Sequence, residues 1–217
     1  MTLDKHTQLK KKIFIIGLPR TATTSVCVAM LSLGFKTAHT AYTFEALEDA
    51  EVIADTPVFC DYQKLALQYP HAKFIYLTRE SMLWLPSIRQ LLSRMYVNLQ
   101  RDDGGFNPTI KRCYNQVFSP LTLENINDDD FLLNCYQNHY NNALTFFSER
   151  KQDLLVIDVK ADDSYKKLVT FLSLDEEQHR KGSFEPINIA GKVTAWNKIR
   201  HDLKVSSTRK GKIDKMD

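Results

Sequence analysis

Residues 13–25 read IFIIGLPRTATTS, and no other passage restricts the fold as much. Four consecutive apolar residues, Ile13 to Ile16, are bounded by lysines on one side and Gly17 on the other. A short run that is apolar at every position has no face to turn to water. It predicts a strand covered on both sides, as in a parallel sheet. After the turn Gly17-Leu18-Pro19-Arg20, apolar residues recur at Val26, Ala29, Met30 and Leu33. That spacing predicts a helix over 21–33, stopped by Gly34. A buried strand running through a tight turn into a helix is the opening unit of an α/β fold.

The same alternation continues. Further strands are predicted at 51–55, 72–78 and 154–157, and helices over 61–69, 82–99, 128–149 and 164–172. Pro57 closes the second strand and Pro70 the helix after it. Asp128-Asp129-Asp130 suits a helix start, where carboxylates complement the dipole. Residues 107–127 are read as irregular or weakly helical. Strands alternating with helices predict a three-layer α/β/α fold around a central, mostly parallel sheet. A chain of 217 residues fits one domain better than two. Residues 1–203 are read as that domain, and 204–217 as a basic, flexible C-terminal tail.

With 43% apolar and 25% charged residues, wholesale disorder is excluded. The net charge of +3 is small, and the excess lies in Lys10, Lys11, Lys12 and the tail from Lys204 to Lys215. No aromatic residue interrupts the tail's basic residues, so the stacking platform of a single-strand binder is missing and no nucleic-acid partner is expected. Cys27, Cys60, Cys113 and Cys135 form no C-x-x-C pair and no zinc spacing. Reduced thiols and no metal are expected. No stretch approaches the ~20 apolar residues that cross a bilayer, and the run ending at Leu18 is too short for a signal segment. The reading is a cytoplasmic protein without a membrane span, its oligomeric state open.

The helix start after the first turn offers unpaired N–H groups and the positive end of a dipole, which together make an anion site. Thr21, Thr23, Thr24 and Ser25 add hydroxyls, and Arg20 adds a fork of charged donors. Against the pattern G-x-x-x-x-G-K-[ST], Gly17 and Thr24 fit the first and last positions. Ala22 stands in place of the second glycine, and Thr23 in place of the lysine that reaches the β/γ-phosphates. The loop is poorly suited to triphosphate chemistry but suits a nucleotide with one 5′-phosphate. The bland alternative is a Thr-rich helix cap with Arg20 at the surface.

Residues 17–25, GLPRTATTS, resemble the 5′-phosphosulfate loop of the sulfotransferases, which in one branch of that family reads GLPRTGTTS. Ala22 is the departure. The resemblance implies a P-loop NTPase-like sulfotransferase fold. It also implies 3′-phosphoadenosine 5′-phosphosulfate as co-substrate, held by Arg20, Thr21, Ala22, Thr23, Thr24 and Ser25. A second stretch is similar to the family's next signature: strand 72–78, then Arg79, Trp84 and Ser87. An arginine at a strand's C-terminal edge faces the crevice where open α/β sheets bind ligands. By resemblance, Arg79 and Ser87 take the donor's 3′-phosphate, so that two separate anion sites grip the two ends of one nucleotide. Otherwise Arg79 pairs with an acid and Ser87 is a surface residue. Arg180-Lys181-Gly182, or else Gly191-Lys192 with Trp196, echoes a further basic motif of the family.

The expected chemistry is in-line transfer of a sulfuryl group, with Arg20 stabilising charge on the leaving oxygen. The acceptor is expected to be a small molecule or glycan presenting a hydroxyl, which needs a base. Asp55, between a strand and Thr56-Pro57, stands where the resemblance implies one; its alternative role is a turn cap. His39 is the second candidate and Glu45 the third. The aromatic-rich stretch 96–118 is a candidate pocket wall or lid. Two rivals remain: a P-loop nucleoside or nucleotide kinase, and a non-catalytic nucleotide-binding member of the same fold.

Overall fold

The computed structural model describes residues 12–179, 181–184, 188–189, 192–193 and 196–214. In chain order the elements are β1 (Ile13–Ile15), α1 (Thr23–Ser32), β2 (Thr37–Ala38), α2 (Phe44–Asp49), β3 (Val52–Ala54), α3 (Val58–Gln68), β4 (Lys73–Thr78), α4 (Ser81–Gln100), α5 (Pro108–Val117), α6 (Leu123–Asn127), α7 (Asp129–Phe146), β5 (Leu154–Asp158), α8 (Ser164–Phe171), α9 (Glu176–His179), β6 (Asn188–Ile189) and β7 (Lys192–Val193). The first five strands form one sheet in the order β2-β3-β1-β4-β5, every neighbour parallel. β6 and β7 form a separate antiparallel pair.

The opening apolar run is the centre of this sheet. Phe14 lies beside Ile53 of β3 and Phe74 of β4, and Ile15 beside Ala54 and Ile75. Successive side chains point to opposite faces, so the run feeds two cores. Phe14, Ile16, Phe74 and Tyr76 pack with residues of α2, α3 and α7. Ile13, Ile15, Ile75 and Leu77 pack with Val26, Cys27 and Met30 of α1 and Leu168 of α8. These are the three layers that the alternation of elements predicts. Each fully buried Phe or Ile contributes roughly 1.5–3 kcal/mol through apolar area removed from water. A third cluster, around Trp84, Leu92, Phe118 and Leu132, joins α4 to α5, α6 and α7.

Residues 107–127, read as irregular or weakly helical, are more regular than that. They hold α5 and α6, each opened by a side-chain cap. Asn107 accepts from the Ile110 N–H, with Pro108 at the first helical position, and Thr122 accepts from the Asn125 N–H. α4 starts at Ser81 and carries Pro86 inside it, on its exposed side. β2 and α2 had no counterpart in the pattern because two and six residues are too few to show a period.

The boundary at residue 203 also differs from expectation. The Thr37 N–H donates to Leu203 O, the Val205 N–H to Thr37 O, the Tyr42 N–H to Ser207 O and the Asp214 N–H to Tyr42 O. β2 is the sheet's edge, and Leu203 and Val205 pair with its outer backbone groups, while Ser207 and Asp214 pair with Tyr42 beyond it. Residues 1–11 and 215–217, which include Lys10, Lys11 and Lys215, lie outside the described residues. Among the described residues, no helix is long and apolar enough to cross a membrane.

His139 is the one imidazole sealed in the α3–β4–α7 interior among the described residues. Its Nδ1 is 2.8 Å from the Tyr76 hydroxyl, and its Nε2 is 2.7 Å from Phe59 O. Burial pulls its pKa down to about 4, against a weaker opposing pull from the Phe59 carbonyl. The folded state binds fewer protons than the unfolded state between the ordinary value of 6.5 and about 4. Stability from this group is therefore complete above 6.5 and declines as pH falls through that window, by about 3 kcal/mol at its lower end. Urea unfolding between pH 7 and 4 should show this decline, and a His139→Gln variant should show less of it.

Candidate functional site

In a parallel sheet every strand delivers its C-terminus to the same edge. His39 directly follows β2, Asp55 follows β3, the turn 17–22 follows β1, and Arg79 follows β4. With strand order β2-β3-β1-β4, these groups line the edge in the order His39, Asp55, turn, Arg79. The chain leaves β1 toward one side of the sheet and returns to build β4 on the other. The crevice beside β1 is thus a topological switch point, where such folds bind ligands.

The turn is shaped by packing. A Cβ on Gly17 would lie 2.7 Å from the Leu77 Cβ and 2.8 Å from both Leu77 O and Thr21 Oγ1, so no side chain fits. The buried Thr21 hydroxyl donates back to Leu18 O at 2.7 Å, and the Trp84 indole N–H donates to Pro19 O at 3.0 Å. Arg20 and Ala22 both adopt left-handed backbone, φ 74° and 73°. No side chain caps α1, nor α3, α4 or α8, whereas α2, α5, α6 and α7 carry caps. The Thr21 N–H donates back to Leu18 O at 3.3 Å, and the N–H groups of the uncapped start of α1 beyond it are of the kind that bind anions.

Ala22 thus has the positive φ at which a glycine costs nothing and a Cβ is strained. A left-handed L-residue costs roughly 1–2 kcal/mol, partly offset by the greater freedom of unfolded glycine. Ala22→Gly should therefore raise stability by about 1 kcal/mol, read as a higher urea midpoint with an unchanged slope.

Three arginines gather at this turn. The Arg20 Nε donates to Ser87 Oγ at 2.7 Å, and the Arg79 Nη1 donates to Arg20 O at 2.7 Å. The Arg79 N–H donates to the Tyr136 hydroxyl at 3.0 Å, which fixes the strand end. Among the described residues, no carboxylate forms an ion pair with Arg20, Arg79 or Arg94. Burial lowers the Arg20 pKa from its ordinary value, and the neighbouring charges of Arg79 and Arg94 lower it further. Arg79 is therefore not neutralised by an acid. Ser87, expected beside Arg79, is bonded to Arg20, and Arg79 reaches Arg20 O, so the residues assigned to two separate sites are linked through Arg20. Arg94 was not singled out in the sequence, although it lies seven residues after Ser87 on one helix and so shares its face.

Asp55 and His39, read as alternatives, are brought together. The His39 Nδ1 is 4.0 Å from Asp55 Oδ2, and the two side chains are 13% and 17% exposed. The His39 Nε2 is 2.9 Å from the Thr24 hydroxyl and 3.3 Å from that of Thr23. These partners assign the proton to Nδ1, facing the carboxylate, and leave Nε2 to accept. Burial lowers the His39 pKa; Asp55 opposes that shift and Lys204 adds to it. The Asp55 carboxylate also accepts from the Thr56 hydroxyl at 3.1 Å. Tyr42 and Tyr114 stand near it, their hydroxyls held protonated first by burial and then by its charge. Glu45 is exposed on α2, apart from this group.

Trp196, one of the alternative motif residues, lies with its ring 5.5 Å from that of His39. Lys204 sits 4.8 Å over the Trp196 ring and donates to Trp196 O and Ile199 O. Arg180 and Gly191, from the two motif readings, lie outside the described residues. Among the described residues, no three His, Cys, Asp or Glu side chains converge as metal ligands.

A search of curated proteins gave no match. A family model described as a sulfotransferase domain matches residues 12–47 and 40–180, taking in the whole sheet and both arginine-bearing strand ends. The chain belongs to the sulfotransferase domain family.

Proposed function

We propose that this protein transfers a sulfuryl group from 3′-phosphoadenosine 5′-phosphosulfate to a hydroxyl-bearing small molecule or glycan. The observation that carries this reading is the convergence of Arg20 and Arg79, unpaired with any carboxylate among the described residues, on an uncapped helix start. Two such cations side by side repel one another, and an anionic ligand with charge at both ends relieves that repulsion. The kinase alternative finds less support. Thr23, in the lysine position, is buried with its hydroxyl toward His39 and brings no charge to the turn.

In this reading the backbone N–H groups at the start of α1, with Arg20, hold the 5′ end of the donor, and Arg79 holds the 3′-phosphate. The donor supplies an activated sulfuryl group on a phosphate leaving group. Arg20 stays protonated and stabilises the charge that develops on the leaving oxygen. His39, kept neutral by burial, takes the acceptor's proton on Nε2, the atom that now faces the Thr24 hydroxyl. Asp55 stabilises the imidazolium that results. The test is incubation with this donor and a broad panel of phenols, alcohols and glycans. Mass spectrometry should show a product with one added sulfuryl group in wild-type protein. No product from any acceptor, with the donor bound, would favour a non-catalytic member of the fold.

A further inference from the structure

Away from the sheet edge, two cysteines and an arginine form a second reactive cluster. Cys60 lies in the first turn of α3 and Cys113 in α5, which packs across it. Cys60 packs against the apolar cluster that contains Cys113, and each thiol is the largest single influence on the ionisation of the other. The Arg112 Nη1 is 3.6 Å from the Cys60 sulfur. Arg112 is fixed there by a two-pronged pair with Asp61, at 2.8 and 2.6 Å. Cys60 is partly exposed, while Cys113 is fully buried.

We propose that Cys60 and Cys113 are a reversible oxidation site, with Cys60 the attacking thiol and Cys113 the resolving one. The asymmetry has three causes. The neighbouring Cys113 S–H can donate to a Cys60 thiolate and outweighs burial and the Asp61 charge, which oppose it; the Arg112 guanidinium and the first turn of a helix add smaller support. The same donation, together with burial, keeps Cys113 protonated: the Cys60 pKa is lowered and that of Cys113 raised. Solvent access at Cys60 alone lets an oxidant in on one side only. The oxidant is a peroxide. The Cys60 thiolate attacks one peroxide oxygen, the O–O bond breaks, and hydroxide leaves to become water. The resulting sulfenic acid is attacked by the Cys113 sulfur, the S–O bond breaks, and a second water departs with the Cys113 proton. Two thiols are oxidised by two electrons and the peroxide is reduced; a dithiol reverses the step. Cys113 adjoins Tyr114, which stands beside Asp55 and Arg20, so the link would tie α3 to the helix that walls the catalytic edge.

The full-length reduced protein is exposed to hydrogen peroxide, quenched with N-ethylmaleimide and peptide-mapped without reduction. The expected product is a Cys60–Cys113 cross-linked peptide, lighter by two hydrogens and reversed by dithiothreitol, with Cys27 and Cys135 still alkylated. In a Cys113→Ser variant, Cys60 should instead accumulate as a dimedone adduct. Iodoacetamide at neutral pH should modify Cys60 roughly tenfold faster than Cys135. Cys60 that over-oxidises in wild-type protein without the cross-link, or that alkylates no faster than Cys135, would overturn the proposal. Peptide mapping of the wild-type chain decides the matter even if the variant misfolds.

Discussion

His39→Ala is expected to lower kcat by roughly 10²–10⁴-fold while leaving affinity for adenosine 3′,5′-bisphosphate nearly unchanged. The imidazole follows β2, which β3 and β1 separate from β4, so in the proposed mechanism its loss removes proton transfer rather than the Arg79 contact. The pH profile gives an independent reading. In the proposed mechanism the neutral imidazole is the active form, and burial holds its pKa below the ordinary 6.5. Activity should therefore be flat at neutral pH and fall only as pH drops through that lowered value. Asp55→Asn removes the one charge that opposes burial. The acid limb should then move to still lower pH, and kcat should fall because the imidazolium loses its counter-charge. An acid limb that does not move would assign Asp55 to the turn alone.

Arg79→Ala is expected to weaken adenosine 3′,5′-bisphosphate binding by about 2–4 kcal/mol, or roughly 30–1,000-fold, through loss of charge-assisted hydrogen bonds. Arg79→Lys should recover only part of this, because an ammonium supplies charge without the fork. Arg20→Ala should weaken binding as well, and it should lower kcat further, since Arg20 lies at the helix start where the leaving oxygen would sit. Isothermal titration and single-turnover kinetics separate the two effects. Because Arg79 also donates to Arg20 O, the two variants touch and should not add.

The fold was legible where burial wrote a continuous signal. Ile13 to Ile16, Phe74 to Leu77 and Leu154 to Ile157 are strands because their runs are apolar on both faces, and the alternation with helices led to the three layers. α5 reads as no more than weakly helical although Ile110, Cys113, Tyr114 and Val117 carry its period; a cysteine and a tyrosine dilute the apolar stripe, and the Asn107-Pro108 start is the sharper signal. The pairing of Leu203 and Val205 with β2 is invisible in the sequence, because backbone hydrogen bonds to an edge strand leave no mark on side-chain choice. At the site, each strand end could be named from the chain, but the pairing of His39 with Asp55 depends on strand order. β2 joins the sheet beside β3, and two residues carry no pattern that says so. Likewise Ser87 reaches Arg20 because of how the turn bends at two left-handed residues, a geometry that Ala22 conceals in the sequence.

The central claim is that one basic edge holds a nucleotide by both of its phosphorylated ends. Calorimetric titration of the purified chain with adenosine 3′,5′-bisphosphate and with adenosine 5′-monophosphate tests it directly. The bisphosphate should bind at least tenfold tighter, about 1.4 kcal/mol, and Arg79→Ala should abolish that difference. Equal affinities, or no binding of either nucleotide by folded protein, would contradict it.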